Sequence, residues 1–260
     1  MLLRLSLSFE ANMHQTHPVP NKRESMRQTN DKAKIKQQRV MKYFIDAANH
    51  IIQEEGIEAV TIRKAADIAG YASATLYNYF ENLPHLVFLA TMTYLEEYHE
   101  AIPHYVNKCE DSIERYMAIC KCFTVYSLAN PEIYELLFFT HGNDKLEEYT
   151  RQYYELFPER IVKDAPAPFN KIYDINNLYS RSFIMLNDCV EDGFITKDMA
   201  EDFNDVALMV SKYILEDVKT GALDKRAGTA KTMKYYRQIF RCYVLPEHRH
   251  LVEKAADKWS

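Results

Sequence analysis

Ser73, Thr75, Tyr77, Asn78 and Tyr79 place five uncharged hydrogen-bonding side chains within the run YASATLYNYF. Two tyrosines pointing outward from one short helix are out of place on a merely solvated face. Small groups at a helix N-terminus can enter the major groove of DNA, and hydroxyls and helix-end N–H groups can donate to phosphates. The patterns needed for catalysis are missing from the chain. It has no G-x-S-x-G, Walker loop, dinucleotide glycine fingerprint, H-E-x-x-H or paired-cysteine zinc spacing. His141 in FFTHG follows two aromatics but has no neighbouring nucleophile or carboxylate. No enzymatic activity and no cofactor or metal are expected.

The elements that position these residues can be read from the flanking sequence. Thr61 is placed to cap a helix over residues 62–69, with Ile62, Ala65, Ala66 and Ala69 recurring at helical steps. Gly70 supplies the left-handed exit residue, and a second short helix is expected from Ser73 to Phe80, with Leu76 and Phe80 inward. Small Ala65 and Ala66 allow close approach of the two helices. Paired short helices about a glycine-led turn form the helix-turn-helix used on DNA, and they also form plain corners of helical bundles. The outward hydroxyls favour the first reading.

The run G-Y-A-S-A-T-L-Y-N-Y-F resembles the signature of tetracycline-repressor-type (TetR family) transcriptional regulators, G-V-S-x-x-T-L-Y-x-Y-F. The similarity extends back through T-I-R-K-A-A-D-I-A-G and the helix from Val40 through Phe44, Ala48 and Ile52 to Gly56. It covers about residues 36 to 90. The resemblance implies that Arg63, Ser73, Ala74 and Thr75 face base edges. It also implies that Thr61, Lys64, Tyr77, Asn78 and Tyr79 hold phosphates and that Leu76 and Phe80 are core. Three positions depart from the pattern. Tyr71 replaces a small apolar residue, Ala72 replaces a Ser cap at a cost of about 0.5–2 kcal/mol, and Leu83 replaces a phosphate-contacting lysine.

Charge is distributed in the same sense. The chain of 260 residues carries a net charge of −5, yet Lys22 to Lys42 holds eight Lys or Arg against Glu24 and Asp31. A basic arm on an acidic body fits a small DNA-contacting unit on a larger domain. Residues 1–30 have no periodic apolar face and are expected to be disordered. MLLRLSLSF is too short for a membrane span and lacks a small-residue cleavage site, so a cytoplasmic location is expected. The odd, scattered cysteines (Cys109, Cys120, Cys122, Cys189 and Cys242) fit reduced core thiols.

Few glycines and long 3.6-period runs make the fold all-α, with residues 31–84 as the DNA-binding domain and 85–260 as a helical ligand-binding and dimerisation domain. The first helix is expected over about Ile35–Glu55, with Val40, Phe44, Ala48, Ile51 and Ile52 inward. A fourth, over about 83–101, links the domains up to a boundary near Pro103. Ser112–Leu128 is apolar nearly all round and belongs at a domain centre. Further helices are expected at PEIYELLFF, Lys145–Phe157, Lys171–Glu191, Lys197–Thr220 and Thr229–Val244. The tail, with His248, His250 and Trp259, reads as a solvated terminus. The family resemblance implies that the 171–191 and 197–220 pair forms a four-helix dimer interface through Phe203, Val206, Val210, Tyr213 and Ile214; the same stripe also fits intrachain core. Tyr116, Met117, Phe123, Thr124, Phe139, Tyr149, Tyr153, Phe183 and Asn187 are candidate pocket residues for a small, largely apolar or aromatic effector.

Together these features point to a ligand-responsive regulator, in the sense of a repressor, that binds a palindromic operator in double-stranded DNA as a homodimer. The alternative is a helical ligand- or partner-binding protein without DNA binding.

Overall fold

The computed structural model describes residues 22–139, 145–161 and 178–259; eleven α-helices and no strand occur among the described residues. Helix α1 (Lys22–Glu55) starts well before the expected Ile35. Its leading stretch has no apolar stripe for periodicity to detect, but Lys, Arg, Gln and Glu are good helix formers and no Gly or Pro interrupts the run. Residues 22–30, expected to be disordered, therefore continue the helix. The inward stripe of Val40, Phe44, Ala48, Ile51 and Ile52 is buried, together with Met41 and Ile45.

Helix α2 (Ile62–Ala69) is capped by Thr61, whose hydroxyl oxygen accepts from the Lys64 N–H at 3.2 Å. It ends at Gly70 with φ 76°, after which the Tyr71 N–H donates back to the Ala66 carbonyl at 3.0 Å. Helix α3 (Ser73–Leu76) stops short of the expected Phe80. Ala72 supplies no capping side chain, and the N–H groups of Asn78 and Tyr79 bond three residues back, to Thr75 at 3.1 Å and Leu76 at 2.9 Å. A single helical turn followed by this tighter one carries the outward residues.

Helix α4 (Leu83–Val106) begins at Asn82, whose side chain accepts from the His85 N–H at 2.9 Å, and has Pro84 in its first turn. It runs through Pro103, where a boundary was expected, and ends one turn later, the proline ring having removed the ladder bond to the His99 carbonyl. Helix α5 (Ser112–Ala129), capped by Asp111, occupies the expected central place and packs on α4, α6 (Pro131–Phe138), α8 (Leu178–Glu191), α9 (Lys197–Lys219), α10 (Lys225–Tyr243) and α11 (Arg249–Trp259). Helix α7 (Leu146–Leu156) packs on α4. His141, the proline-containing loop at 163–170 and the first residues of the 171–191 helix lie outside the described residues.

Helix α10 starts at Lys225, capped by Asp224, four residues before the expected Thr229. Gly228, a helix breaker when read alone, is inside it because the helices meet there. A Cβ at Gly228 would approach Val218 Cγ2 to 2.8 Å and Leu128 Cδ1 to 3.0 Å. The tail is also no solvated terminus. Helix α11 buries Val252, Ala255 and Ala256 against α5, its Trp259 stacks on Tyr105 at 5.7 Å, and Lys258 pairs with the buried Glu114. Buried apolar residues form one connected cluster from Val40 to Ala255.

Candidate nucleic-acid interface and effector cavity

Leu76 and Phe80 are buried beneath α2 and α3, and Phe80 packs edge-on against Phe44 at 5.8 Å. This anchoring turns the opposite face outward. Ser73, Ala74 and Asn78 are exposed, Thr75 is half-buried, and Tyr77 is 60% exposed. Tyr79 differs from Tyr77. It is half-buried and its ring packs on the core, so its position serves packing as well as the surface. Tyr71, the unusual residue after Gly70, stacks on Phe44 at 5.5 Å and so takes the role of a small apolar residue by lying flat.

Of the charged residues in this region, Arg63 is open to solvent and meets Asp67 only at 3.9 Å. Lys64 is engaged by Glu55 at 2.6 Å. Lys32, Lys34, Lys36 and Arg39 are exposed on α1, and Lys42 pairs with Asp46 at 2.6 Å. Leu83, at the position where the family pattern has lysine, is half-buried against the core.

Directly after α3 the chain is tied to α7, a connection that no motif signalled. Glu81 accepts from the Lys145 ammonium and from the Tyr149 hydroxyl, and the Lys145 hydrogen bond holds the Glu81 carboxyl below its usual range. Tyr149 stacks on His85 at 4.1 Å between ring centres, and His85 Nδ1 accepts from the Glu81 N–H at 3.2 Å. Burial holds the His85 imidazole below the ordinary histidine range, against the pull of Glu81. Further along α4, the buried Glu96 accepts from Tyr153 at 2.6 Å and from Arg160, although burial still pushes its carboxyl upward. Gln38 on α1 donates to the Leu156 carbonyl at the far end of α7. Tyr149 and Tyr153, expected in a pocket, are instead the residues that join α7 to α4.

A cavity of about 50 Å³ opens between α4, α5, α6, α8, α9 and α10. Of the candidate pocket residues, Tyr116 and Phe123 line it. Met117 and Thr124 lie on other faces of α5, in the core, with the Thr124 hydroxyl donating to the Cys120 carbonyl. Phe139 follows the end of α6 outside the lining, Phe183 stacks on Tyr179, and Asn187 donates to Glu191. The missed wall residues include Tyr98, Phe138, Arg181, Ser182 and Tyr236. Arg181, only 5% exposed, lies over the Phe138 ring at 5.5 Å and donates to His99 Nε2 at 3.1 Å. Burial, reinforced by that cation, keeps His99 neutral. The Tyr116 hydroxyl meets Ser182 at 3.1 Å, and Ser211 meets Tyr236.

On α9, Phe203 and Ile214 are fully buried within the chain, Phe203 stacking on Phe240 at 4.6 Å, and so belong to its own core. The outward apolar residues are Met209, 68% exposed, and Tyr213, 62% exposed, flanked by half-buried Val206 and Val210. Three of the five thiols are buried and Cys109 is half-buried; burial pushes Cys120, Cys122 and Cys189 up to about 12. Cys242 is exposed, contrary to its expected place in the core. Among the described residues, no cluster of three His, Cys, Asp or Glu could hold a metal, and no helix is long and apolar enough to cross a membrane.

Residues 44–87 match the family described as "Bacterial regulatory proteins, tetR family". No curated protein matches the chain by sequence. Among solved structures, RolR in complex with the ligand resorcinol superposes with a TM-score of 0.56 at 16% identity, over 85% of this chain and 94% of its own. A protein of unknown function from Rhodococcus sp. RHA1 gives a TM-score of 0.53 at 15% identity, over 79% of this chain and 96% of its own. RolR without ligand gives a TM-score of 0.50 at 14% identity, over 82% and 94%. At these identities the structures share the fold, while the family match falls on the helix-turn-helix itself. Residues 44–87 thus form a DNA-binding unit of the tetR type, carried on a chain whose fold is that of these structures.

Proposed function

We propose that the protein is a ligand-responsive transcriptional repressor that binds a palindromic operator as a homodimer, with residues 31–84 as its DNA-binding unit and residues 85–260 as its effector and dimerisation unit. The observation that carries this reading is the outer face of α3. Leu76 and Phe80 hold the turn from beneath, while Ser73, Ala74, Tyr77 and Asn78 are left exposed. Arg63, Ser73, Ala74 and Thr75 read base edges. Thr61, Lys64, Tyr77, Asn78 and Tyr79 contact phosphates. The Thr61 oxygen caps α2 as an acceptor, which leaves its O–H free to donate, and Lys64 exchanges Glu55 for a phosphate on binding. Two such units related by a two-fold axis meet successive major grooves ~34–36 Å apart.

The exposed Met209 and Tyr213, with Val206 and Val210 beside them, support a partner contact through α8 and α9 of both protomers. The effector is a small, largely apolar or aromatic molecule held in the cavity beside Tyr116 and Phe123. The structurally similar RolR binds resorcinol, which is consistent with that class. Helices α4 and α7 then carry the effector's preference for one arrangement to the recognition helices.

The test is a mobility shift on DNA from upstream of the protein's own gene, with Ser73→Ala and Arg63→Ala expected to alter base preference. No retardation at low salt would leave a helical ligand- or partner-binding protein without DNA binding, a reading favoured by the uncapped Ala72 and by Leu83. For the dimer, Met209→Glu combined with Tyr213→Glu should sediment as a folded monomer; a variant that remains dimeric places the interface elsewhere.

A further inference from the structure

We propose that the groove between α10 and α11 is a second ligand site, separate from the cavity, that takes a polyphosphate chain. The groove has a volume of about 750 Å³ and is lined mainly by Lys234, Arg237, Gln238 and Arg241 of α10 and by Arg249 and Glu253 of α11. Four cations therefore face one carboxylate. The imbalance belongs to α10 as a whole, which carries six Lys or Arg and no Asp or Glu on a chain whose net charge is −5. A concave surface of one sign draws counter-ions of the other. Tyr236 of the same helix lines the cavity, so the two sites lie on different faces of α10.

The one carboxylate is already engaged. Glu253 accepts from Arg237 Nε at 2.7 Å and from its Nη2, and it pairs with Arg241 Nε at 3.3 Å. Among the described residues, Lys234 has no carboxylate partner and Arg249 Nε is buried with no acceptor. A buried donor left unpaired is rare and costly, so this one calls for an acceptor from outside the chain. Lys234, Arg237, Gln238 and Arg241 recur at three- and four-residue steps and so form a row about 10 Å long on one face of α10. Arg249 closes that row from α11. Cations in a row, three of them guanidinium forks, suit an anion with successive charged groups, and phosphate oxygens accept several charge-assisted bonds each. No aromatic ring is among the described residues that line the groove, so the chain of phosphates is recognised and not a nucleobase. The groove is also remote from the helix-turn-helix. Trp259 of α11 stacks on Tyr105 near the far end of α4, a helix of 24 residues and so about 36 Å long.

The test titrates the full chain, without DNA or divalent cations, against tripolyphosphate, orthophosphate, hexaglutamate and ATP by calorimetry. Tripolyphosphate should bind about tenfold or more tightly than orthophosphate, the size expected when further charge-assisted hydrogen bonds form. Lys234→Gln, at an exposed position, should weaken tripolyphosphate about tenfold, and Arg249→Gln by as much. Arg226→Gln, exposed on the same helix but outside the groove, should leave it unchanged. Should Arg249→Gln fail to fold, Lys234→Gln decides alone. Unchanged binding in Lys234→Gln would put the anion elsewhere and overturn the site. Equal weakening by Arg226→Gln, or orthophosphate matching tripolyphosphate, would leave an adventitious ion only and overturn it too. Hexaglutamate matching tripolyphosphate would replace phosphate with an acidic polypeptide, and no binding of tripolyphosphate removes the proposal as a whole. ATP within a few-fold of tripolyphosphate assigns the chain to a nucleoside triphosphate, whereas exclusion of ATP assigns it to inorganic polyphosphate; either result supports the site.

Discussion

The two functional surfaces of this molecule are built in opposite ways. The outer face of the helix-turn-helix draws every side chain from residues 61–79, supported from below by Leu76 and Phe80. The cavity draws its walls from six helices, from Tyr98 to Tyr236, and no two neighbouring helices enclose it. A surface whose parts are adjacent in sequence is specified by capping, turn and spacing rules acting over a few residues. A cavity built from distant parts is specified only when all six helices have packed. The first should therefore fail through local changes, and the second through changes far from its walls.

The largest effect should come from Leu76→Ala. Leu76 is fully buried, and its loss should cost about 2–5 kcal/mol and abolish DNA retardation. Ligand binding in the cavity should persist if the comparison holds. Equal loss of both activities would show that the connected core from Val40 to Ala255 fails as one unit. The reciprocal change is Gly228→Ala, where the added Cβ would meet Val218 and Leu128. It should cost about 1–3 kcal/mol by overpacking and disturb the effector region first. Denaturant unfolding followed alongside DNA and ligand titrations measures both.

The same contrast explains what could be read in the sequence. Thr61, Gly70, Asn82 and the inward stripe of α1 signal their roles locally, and the structure bears out each. The early start of α1 and the helical Gly228 were hidden because one has no apolar face and the other is a breaker until its close neighbours are known. Tyr149 and Tyr153 show why the pocket was only partly legible. A tyrosine stripe is equally compatible with a ligand wall, core, or a polar tie between helices, and only packing decides among these. Arg181 had no motif to mark it. Its meaning comes from Phe138 and His99, which are 43 and 82 residues away in sequence.

A third, smaller effect follows from His85, which packs on Phe80 beneath the helix-turn-helix, and His99, which accepts from Arg181 of the cavity wall. Both are held neutral chiefly by burial, so each binds fewer protons folded than unfolded. Their contribution is fully present above the unfolded value of 6.5 and is lost as pH falls below it. Glu81 and Glu148 near His85 oppose the loss, and the raised Glu96 acts in the opposite sense. Thermal melts at about pH 7.5 and about pH 5.5 should show destabilisation on acidification, reduced in His85→Gln. An unchanged pH response in that variant would assign the effect wholly to the cavity side.

The smallest effect tests the helix-turn-helix face itself. Tyr77 is exposed and Tyr79 is half-buried against the core, so the two hydroxyls are not equivalent. Removing the Tyr77 hydroxyl deletes one hydrogen bond to a charged phosphate, worth about 1.5–3 kcal/mol where desolvated and less on this exposed face. Tyr77→Phe should therefore weaken binding a few-fold, equally on operator and scrambled duplex, because phosphate contacts carry no base information. No charge is lost, so the dependence of affinity on salt should keep its slope. Tyr79→Phe should do less, since its ring already has a packing role that phenylalanine preserves. Anisotropy titrations on both duplexes at two salt concentrations separate these outcomes. Unchanged affinity in the double variant would take both tyrosines off the interface and leave Ser73, Asn78 and the cations of α1 to hold the DNA.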